Sequence, residues 1–209
     1  MMTANLNIQP QSETRERLLA AAMDQFTRRG YAATSVRELC EAAGVTKPVL
    51  YYYFKSKEGL YLELMEGSYT IFESTVAELT MYTGGILNQI IRFCEGVFDT
   101  GMANMPILRL IYSIYYGTPQ GAPNFNLDKY YDRMLEIICG LIQEGVDQGE
   151  ISAGNVEDMT WAVLSCLNTA LEEQLCHQYP RIDRATMARM LGLLFSGIAT
   201  PQQALRGCT

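Results

Sequence analysis

Residues 30–60 read GYAATSVRELCEAAGVTKPVLYYYFKSKEGL, and the fold turns on this stretch. Ser35 and Glu38 stand three apart, the spacing of a capping box in which each side chain bonds the other's orphan amide. Val36, Leu39, Cys40 and Ala43 follow as one apolar stripe at helical period, and Gly44 ends it. After a short turn, Thr46 has the chemistry of an N-cap and Pro48 is tolerated in a first helical turn. Val45 and Leu50 occupy the hydrophobic-staple positions. These signals predict a short helix from Lys47 to about Phe54. Ser56 then caps a longer helix with Leu60, Tyr61, Leu64 and Met65 on its inner side. Two short helices around a tight turn containing Gly make a helix-turn-helix.

Upstream, Leu18, Ala22 and Phe26 repeat every four residues within a helix expected from about Glu13 to Arg29, with Gly30 as its stop. Beyond about Tyr69 the segments lengthen and become rich in Met, Tyr, Leu and Ile. Helices are expected at about Ile86–Met102, Met105–Gly117, Asn126–Gln148, Val156–His177 and Asp183–Ala199. Strand-like alternation is absent, and Gly and Pro mostly fall between periodic segments. The expected fold is all-α with about nine helices. An N-terminal helix-turn-helix domain at 12–72 (the motif itself at about 35–54) would precede a larger helical domain at 73–209.

Hydrophobic residues make up 48% of the 209, enough for a real core. No run of about 18 apolar residues exists and the first dozen residues lack an apolar signal core, so a cytoplasmic protein without membrane association is expected. The formal net charge of −7 lies outside the head: residues 1–67 carry 8 bases and 8 acids, residues 68–209 carry 8 and 15. Between Thr34 and Lys57 the balance is locally positive, with Arg37, Lys47, Lys55 and Lys57 against Glu38 and Glu41. Six scattered cysteines without a CxxC pair and the lone His177 give no zinc spacing, and no cofactor is implied. An enzyme would need a nucleophile with a base or a metal cluster, and neither is evident. A protein-interaction module built from the same helices is the other competing class.

On a helical wheel, Leu50 and Phe54 point toward the small core while Pro48, Tyr52 and Lys55 point away. Val49 and Tyr51 flank that outer face, Lys47 leads the helix, and Tyr53 lies nearer the core. Two lysines and three tyrosines on so short a helix fit insertion into a DNA major groove, where Lys reaches guanine or phosphate and Tyr hydroxyls donate to phosphates.

The same stretch resembles the TetR family of transcriptional regulators: G-[YF]-x-x-T-[ST] before the second helix, A-G-V across the turn, then L-Y-x-[HY]-F-x-[ST]-K-x-x-L. The match covers roughly Ser12 to Phe72. The resemblance implies double-stranded operator DNA as partner. It places Ser35, Val36 and Arg37 near the backbone, with Arg37 also in reach of a base. Lys47, Pro48, Val49 and Tyr52 would face base edges, and Thr46, Tyr51, Tyr53 and Lys57 would hold phosphates. Cys40 stands where members commonly carry Ala, and Tyr53 where many carry His.

In the last two helices, Trp161, Leu164, Leu167, Leu171 and Leu175 form one stripe and Met187, Leu191, Leu194, Phe195 and Ile198 another, with Gly192, Ser196 and Gly197 permitting close approach. By the same resemblance these helices would make the homodimer. The Met- and Tyr-rich middle helices suggest an adaptable, mainly apolar effector pocket. Its candidate residues are Phe98, Met102, Arg109, Tyr112, Tyr116, Tyr131, Met134, Asn168 and Glu172, with His177 as a further polar anchor. The expected function is a ligand-responsive DNA-binding regulator, a repressor released from its operator by a small molecule. The alternative is a thiol-responsive regulator with the same head, using Cys94, Cys139, Cys166 or Cys176.

Overall fold

The structure is a computed structural model that describes residues 9–117 and 121–197. Among the described residues there are nine helices and no strand: α1 (Gln9–Arg29), α2 (Val36–Ala43), α3 (Lys47–Phe54), α4 (Lys57–Thr80), α5 (Ile86–Ala103), α6 (Met105–Tyr115), α7 (Asp128–Asp147), α8 (Val156–Cys176) and α9 (Arg184–Ser196). The first helix starts four residues before its expected position. The fourth runs unbroken through the expected domain boundary to Thr80, because no Gly or Pro interrupts its apolar period between Gly67 and Thr80.

The helices fall into two compact units. The first takes in the chain to Ile71 and also Asn104–Leu127; the second takes in Phe72–Ala103 and the chain from Asp128 onward. The segment 104–127, assigned from the sequence to the sensing part, thus clusters with the head. Its physical basis is the packing of α6 on α1, where Ile107 and Leu110 are buried and the Thr27 hydroxyl donates to the Pro106 carbonyl (3.2 Å).

The core of the first unit is built from Leu18, Ala22, Phe26, Leu39, Leu50, Leu60 and Met65, all essentially without solvent contact. Phe26, Tyr31 and Tyr61 add a three-ring cluster with centroids 5.2–5.8 Å apart, the Tyr61 contacts edge-on. Gly59 sets the close approach of α4 to the end of α3: a Cβ there would lie 2.1 Å from the Phe54 carbonyl oxygen.

In the second unit α8 packs against α5, α7 and α9. Val163, Leu164, Leu167, Ala170, Met187 and Leu191 are fully enclosed. This corrects part of the expected dimer stripes: Leu164, Leu167, Leu171, Met187 and Leu191 belong to the interior of the single chain. Trp161, Leu193 and Leu194 are the exposed large apolar residues of α8 and α9 (47%, 57% and 39% exposed). A helix carries several faces, and an apolar period alone does not say which stripe meets the chain's own core. Ile198 and Cys208 lie outside the described residues.

Ion pairs tie the unit's surface together. Arg184 bridges Glu95 (3.0 Å) and Asp99 (3.2 Å), fastening α9 to α5. Glu150 accepts from the Ile86 amide (2.8 Å) and so caps α5 from the α7–α8 connection. No helix among the described residues is long and apolar enough to cross a membrane.

Candidate nucleic-acid interface

The entry to α2 is closed reciprocally. Ser35 Oγ accepts from the Glu38 amide (3.2 Å), and Glu38 Oε2 accepts from the Ser35 amide (2.8 Å). Arg29 adds its guanidinium to Glu38 Oε1 at 2.5 Å. The Ser35 hydrogen bonds, and then Arg29, hold the Glu38 carboxyl down at about 2. A depressed carboxyl pKa contributes stability that is complete above the ordinary value of 4.5 and is lost as pH falls from there toward 2. Melting curves of wild type and Glu38→Gln should therefore separate above pH 4.5 and converge as pH approaches 2. A gap between them that stays constant across that window would remove the box from the acid sensitivity of the head.

The box leaves the amides of Val36 and Arg37 as orphan donors at the tip of α2. At the other end Gly44 adopts the left-handed conformation (φ 64°, ψ 39°), and the Val45 amide reaches back to the Cys40 carbonyl at 2.9 Å. This reversal is what aims α3 across α2.

Helix α3 is rooted by Leu50 (0% exposed) and Phe54 (3%). Its opposite side is open: Lys47 and Pro48 are exposed, as are Tyr51 (45%) and Tyr52 (65%), while Val49 and Tyr53 are half-buried. The Lys47 ammonium makes no hydrogen bond or ion pair among the described residues, whereas Arg37 is held by Glu41 at 3.1 Å. Thr46 occupies the N-cap position, but its side chain makes no capping hydrogen bond, in contrast to its expected role. Lys55 ends the helix at φ 66°, the one non-glycine positive φ among the described residues, and donates Nζ to the Tyr52 carbonyl (3.2 Å). A β-carbon in that conformation stores backbone strain at the rim of the exposed face.

Lys57, expected at a phosphate, is engaged within its own unit. Its ammonium donates to the carbonyls of Tyr31 (3.0 Å) and Thr34 (2.9 Å) and lies 4.0 Å from the centre of the Tyr31 ring. Partial burial lowers its pKa. Thr34, itself buried, donates its hydroxyl to the Gly30 carbonyl (2.9 Å). Lys57 thus pins the 31–34 link that leads directly into Ser35. Nothing in the linear pattern signals this, because both acceptors are backbone groups more than twenty residues away.

The expected effector residues divide between the two units. Arg109 and Tyr116 in the first are exposed and Tyr112 is half-buried; in the second, Phe98 and Met134 are buried, Met102, Tyr131 and Asn168 half-buried, and Glu172 exposed. The buried carboxylate of α8 is its neighbour Glu173, which accepts from Arg181 Nε at 2.7 Å and has His177 Nε2 at 3.6 Å. Of the cysteines, Cys94 is fully enclosed, and burial, then Cys166 beside it, pushes its thiol up to about 12. Burial also raises Cys40 and Cys166. These thiols stay protonated at neutral pH and are poor nucleophiles. Cys139 and Cys176 are exposed.

A sequence profile described as bacterial regulatory proteins, tetR family, matches residues 18–64, the span from the core of α1 to the first turns of α4. The HTH-type transcriptional activator FasR of Mycolicibacterium smegmatis is 36% identical over 114 residues, 54% of this chain and 52% of FasR. Residues 18–64 are of the TetR type.

The match to FasR spans about half the length of that relative. Likeness extends further in solved structures. The TetR-family regulator PfmR from Thermus thermophilus superposes with a TM-score of 0.69 at 27% identity, over 89% of this chain and 97% of PfmR. FadR from Bacillus subtilis, solved in complex with stearoyl-CoA, shares the fold (TM-score 0.63, 20% identity, 88% of this chain and 99% of FadR). FasR, PfmR and FadR are each described as transcriptional regulators.

Proposed function

We propose that this chain is a cytoplasmic, ligand-responsive transcriptional regulator that binds operator DNA as a homodimer through α2 and α3. The observation that carries the reading is the divided character of α3. Leu50 and Phe54 anchor it rigidly, while Lys47, Pro48, Tyr51 and Tyr52 stand together in solvent. Lys47, Pro48, Val49 and Tyr52 would meet base edges in the major groove. Thr46, Tyr51 and Tyr53, with the Val36 and Arg37 amides and Ser35 at the tip of α2, would hold the flanking phosphates. Arg37 would exchange its exposed Glu41 partner for the backbone. Lys57 acts behind this surface by setting the angle of α2.

Fluorescence-anisotropy titration on the DNA upstream of the chain's own coding sequence, and on scrambled DNA, tests the assignment. Lys47→Ala should change sequence preference by about ten- to a hundredfold at one position, and Tyr51→Phe should weaken both DNAs alike. Unchanged affinities in both variants would sink it.

A single helix-turn-helix makes few contacts, and two half-sites about 34–36 Å apart call for a dimer. The exposed Trp161, Leu193 and Leu194 support α8 and α9 as its seam, and a Cβ at Gly192 would meet nothing within 4 Å in the single chain, which leaves room for a partner helix. For the effector, FadR with stearoyl-CoA supports a fold able to hold a largely apolar ligand. The proposed sign is repression relieved by ligand. FasR carries the name of an activator, so promoter activity with and without the purified chain is the direct test of sign.

A further inference from the structure

Beside the Phe26–Tyr31–Tyr61 ring cluster the first unit holds a cavity of about 270 Å³. Tyr31 and Tyr61 form one wall, Leu110 and Ile114 of α6 another, and Pro123 and Phe125 of the segment after α6 a third. No lining residue carries a charge. The nearby cation, Lys57, is already spent on the Tyr31 and Thr34 carbonyls.

Tyr61 is 1% exposed, yet its hydroxyl has no hydrogen-bond partner among the described residues. Buried hydroxyls are nearly always paired, and an orphan asks for a missing partner. Burial, then the neighbouring Tyr31, pushes its pKa up to about 12, so it remains an O–H donor throughout the ordinary pH range. The vacant role beside it is that of an acceptor. The volume lies between that of a cavity that takes one benzene ring, roughly 150 Å³, and the lower bound for drug-sized pockets, roughly 300 Å³.

We propose that this cavity is a ligand site in its own right, taking a small neutral molecule of about one aromatic ring that offers a carbonyl or ether oxygen to the Tyr61 hydroxyl. None of the residues named as effector anchors lines it, and it does not rest on the DNA-binding assignment. An occupant would touch the ring of Tyr31, whose carbonyl holds Lys57, so the site adjoins the link that orients α2.

Acetophenone is a suitable probe, and α-methylstyrene is its near-isostere without the oxygen. With the full chain labelled at Leu and Ile methyls, acetophenone should saturably shift Leu110 and Ile114. Tyr61→Phe should bind it about tenfold more weakly, the fold-change of one lost hydrogen bond. α-Methylstyrene should bind wild type and Tyr61→Phe equally, and Ile114→Trp, which fills the space, should abolish both. Because the hydroxyl has no partner to lose, Tyr61→Phe should melt no lower than wild type. The proposal is overturned by no saturable shift, by equal acetophenone affinity in Tyr61→Phe, or by a lower melting temperature of that variant.

Discussion

Lys57→Ala is expected to weaken operator binding at least tenfold on every DNA sequence while leaving the salt dependence of binding unchanged. The ammonium satisfies two carbonyls of the link into α2 and stacks on Tyr31. Without it both carbonyls lose a charge-assisted partner in a part-buried setting, a loss of about 1–2 kcal/mol in the stability of the first unit after allowance for solvent. The tip of α2 loses its fixed angle at the same time. A lysine that neutralises a phosphate behaves otherwise: its removal lowers the slope of log K against log salt by about one. Anisotropy titrations at several salt concentrations, with a thermal melt of the same variant, separate the two. A slope reduced by one with an unchanged melt would return Lys57 to the phosphate contacts.

The second large effect concerns the outer surface of α8 and α9. Trp161→Arg combined with Leu193→Glu places charges where large apolar side chains now stand in solvent. Both residues lie outside the enclosed core (47% and 57% exposed), so the fold should persist, with unchanged helical content. Sedimentation at micromolar concentration should give a monomer. Operator affinity should fall about a thousandfold, the usual separation between specific and non-specific binding, because one head alone reads one half-site. A dimer of unaltered mass would move the seam elsewhere on the molecule.

The reading head was legible because its determinants are local. The Ser35–Glu38 box, the Gly44 reversal and the Leu50–Phe54 root each depend on residues within one or two turns, and all are found in the structure. Thr46 was legible as a position, the start of α3, but not as a bond. What could not be read depends on partners distant in sequence. The Lys57 latch needs carbonyls 23 and 26 residues away. The enclosure of Leu164, Leu167 and Leu171 depends on which face of α8 meets its neighbours. The effector candidates are the extreme case: Met and Tyr enrichment described a kind of surface, and no spacing rule joins Arg109 to Asn168. The sequence does not tell Glu173 from Glu172, because adjacent helical residues differ by about 100° of rotation and only packing decides which carboxylate is enclosed.

The packing of α6 on α1 makes the head discontinuous along the chain: its closing piece is 104–127, separated by 32 residues that belong to the other unit. During synthesis, therefore, α1 to α3 emerge well before α6, which packs on α1, and the first unit cannot be completed until that segment has cleared the ribosome. The same holds for anyone building hybrid regulators. A graft cut at residue 72 would carry α1 from one parent and α6 from the other, leaving Ile107, Leu110 and Thr27 facing surfaces they were not shaped against. A graft that moves residues 104–127 together with the head should keep the melting temperature of the donor's first unit.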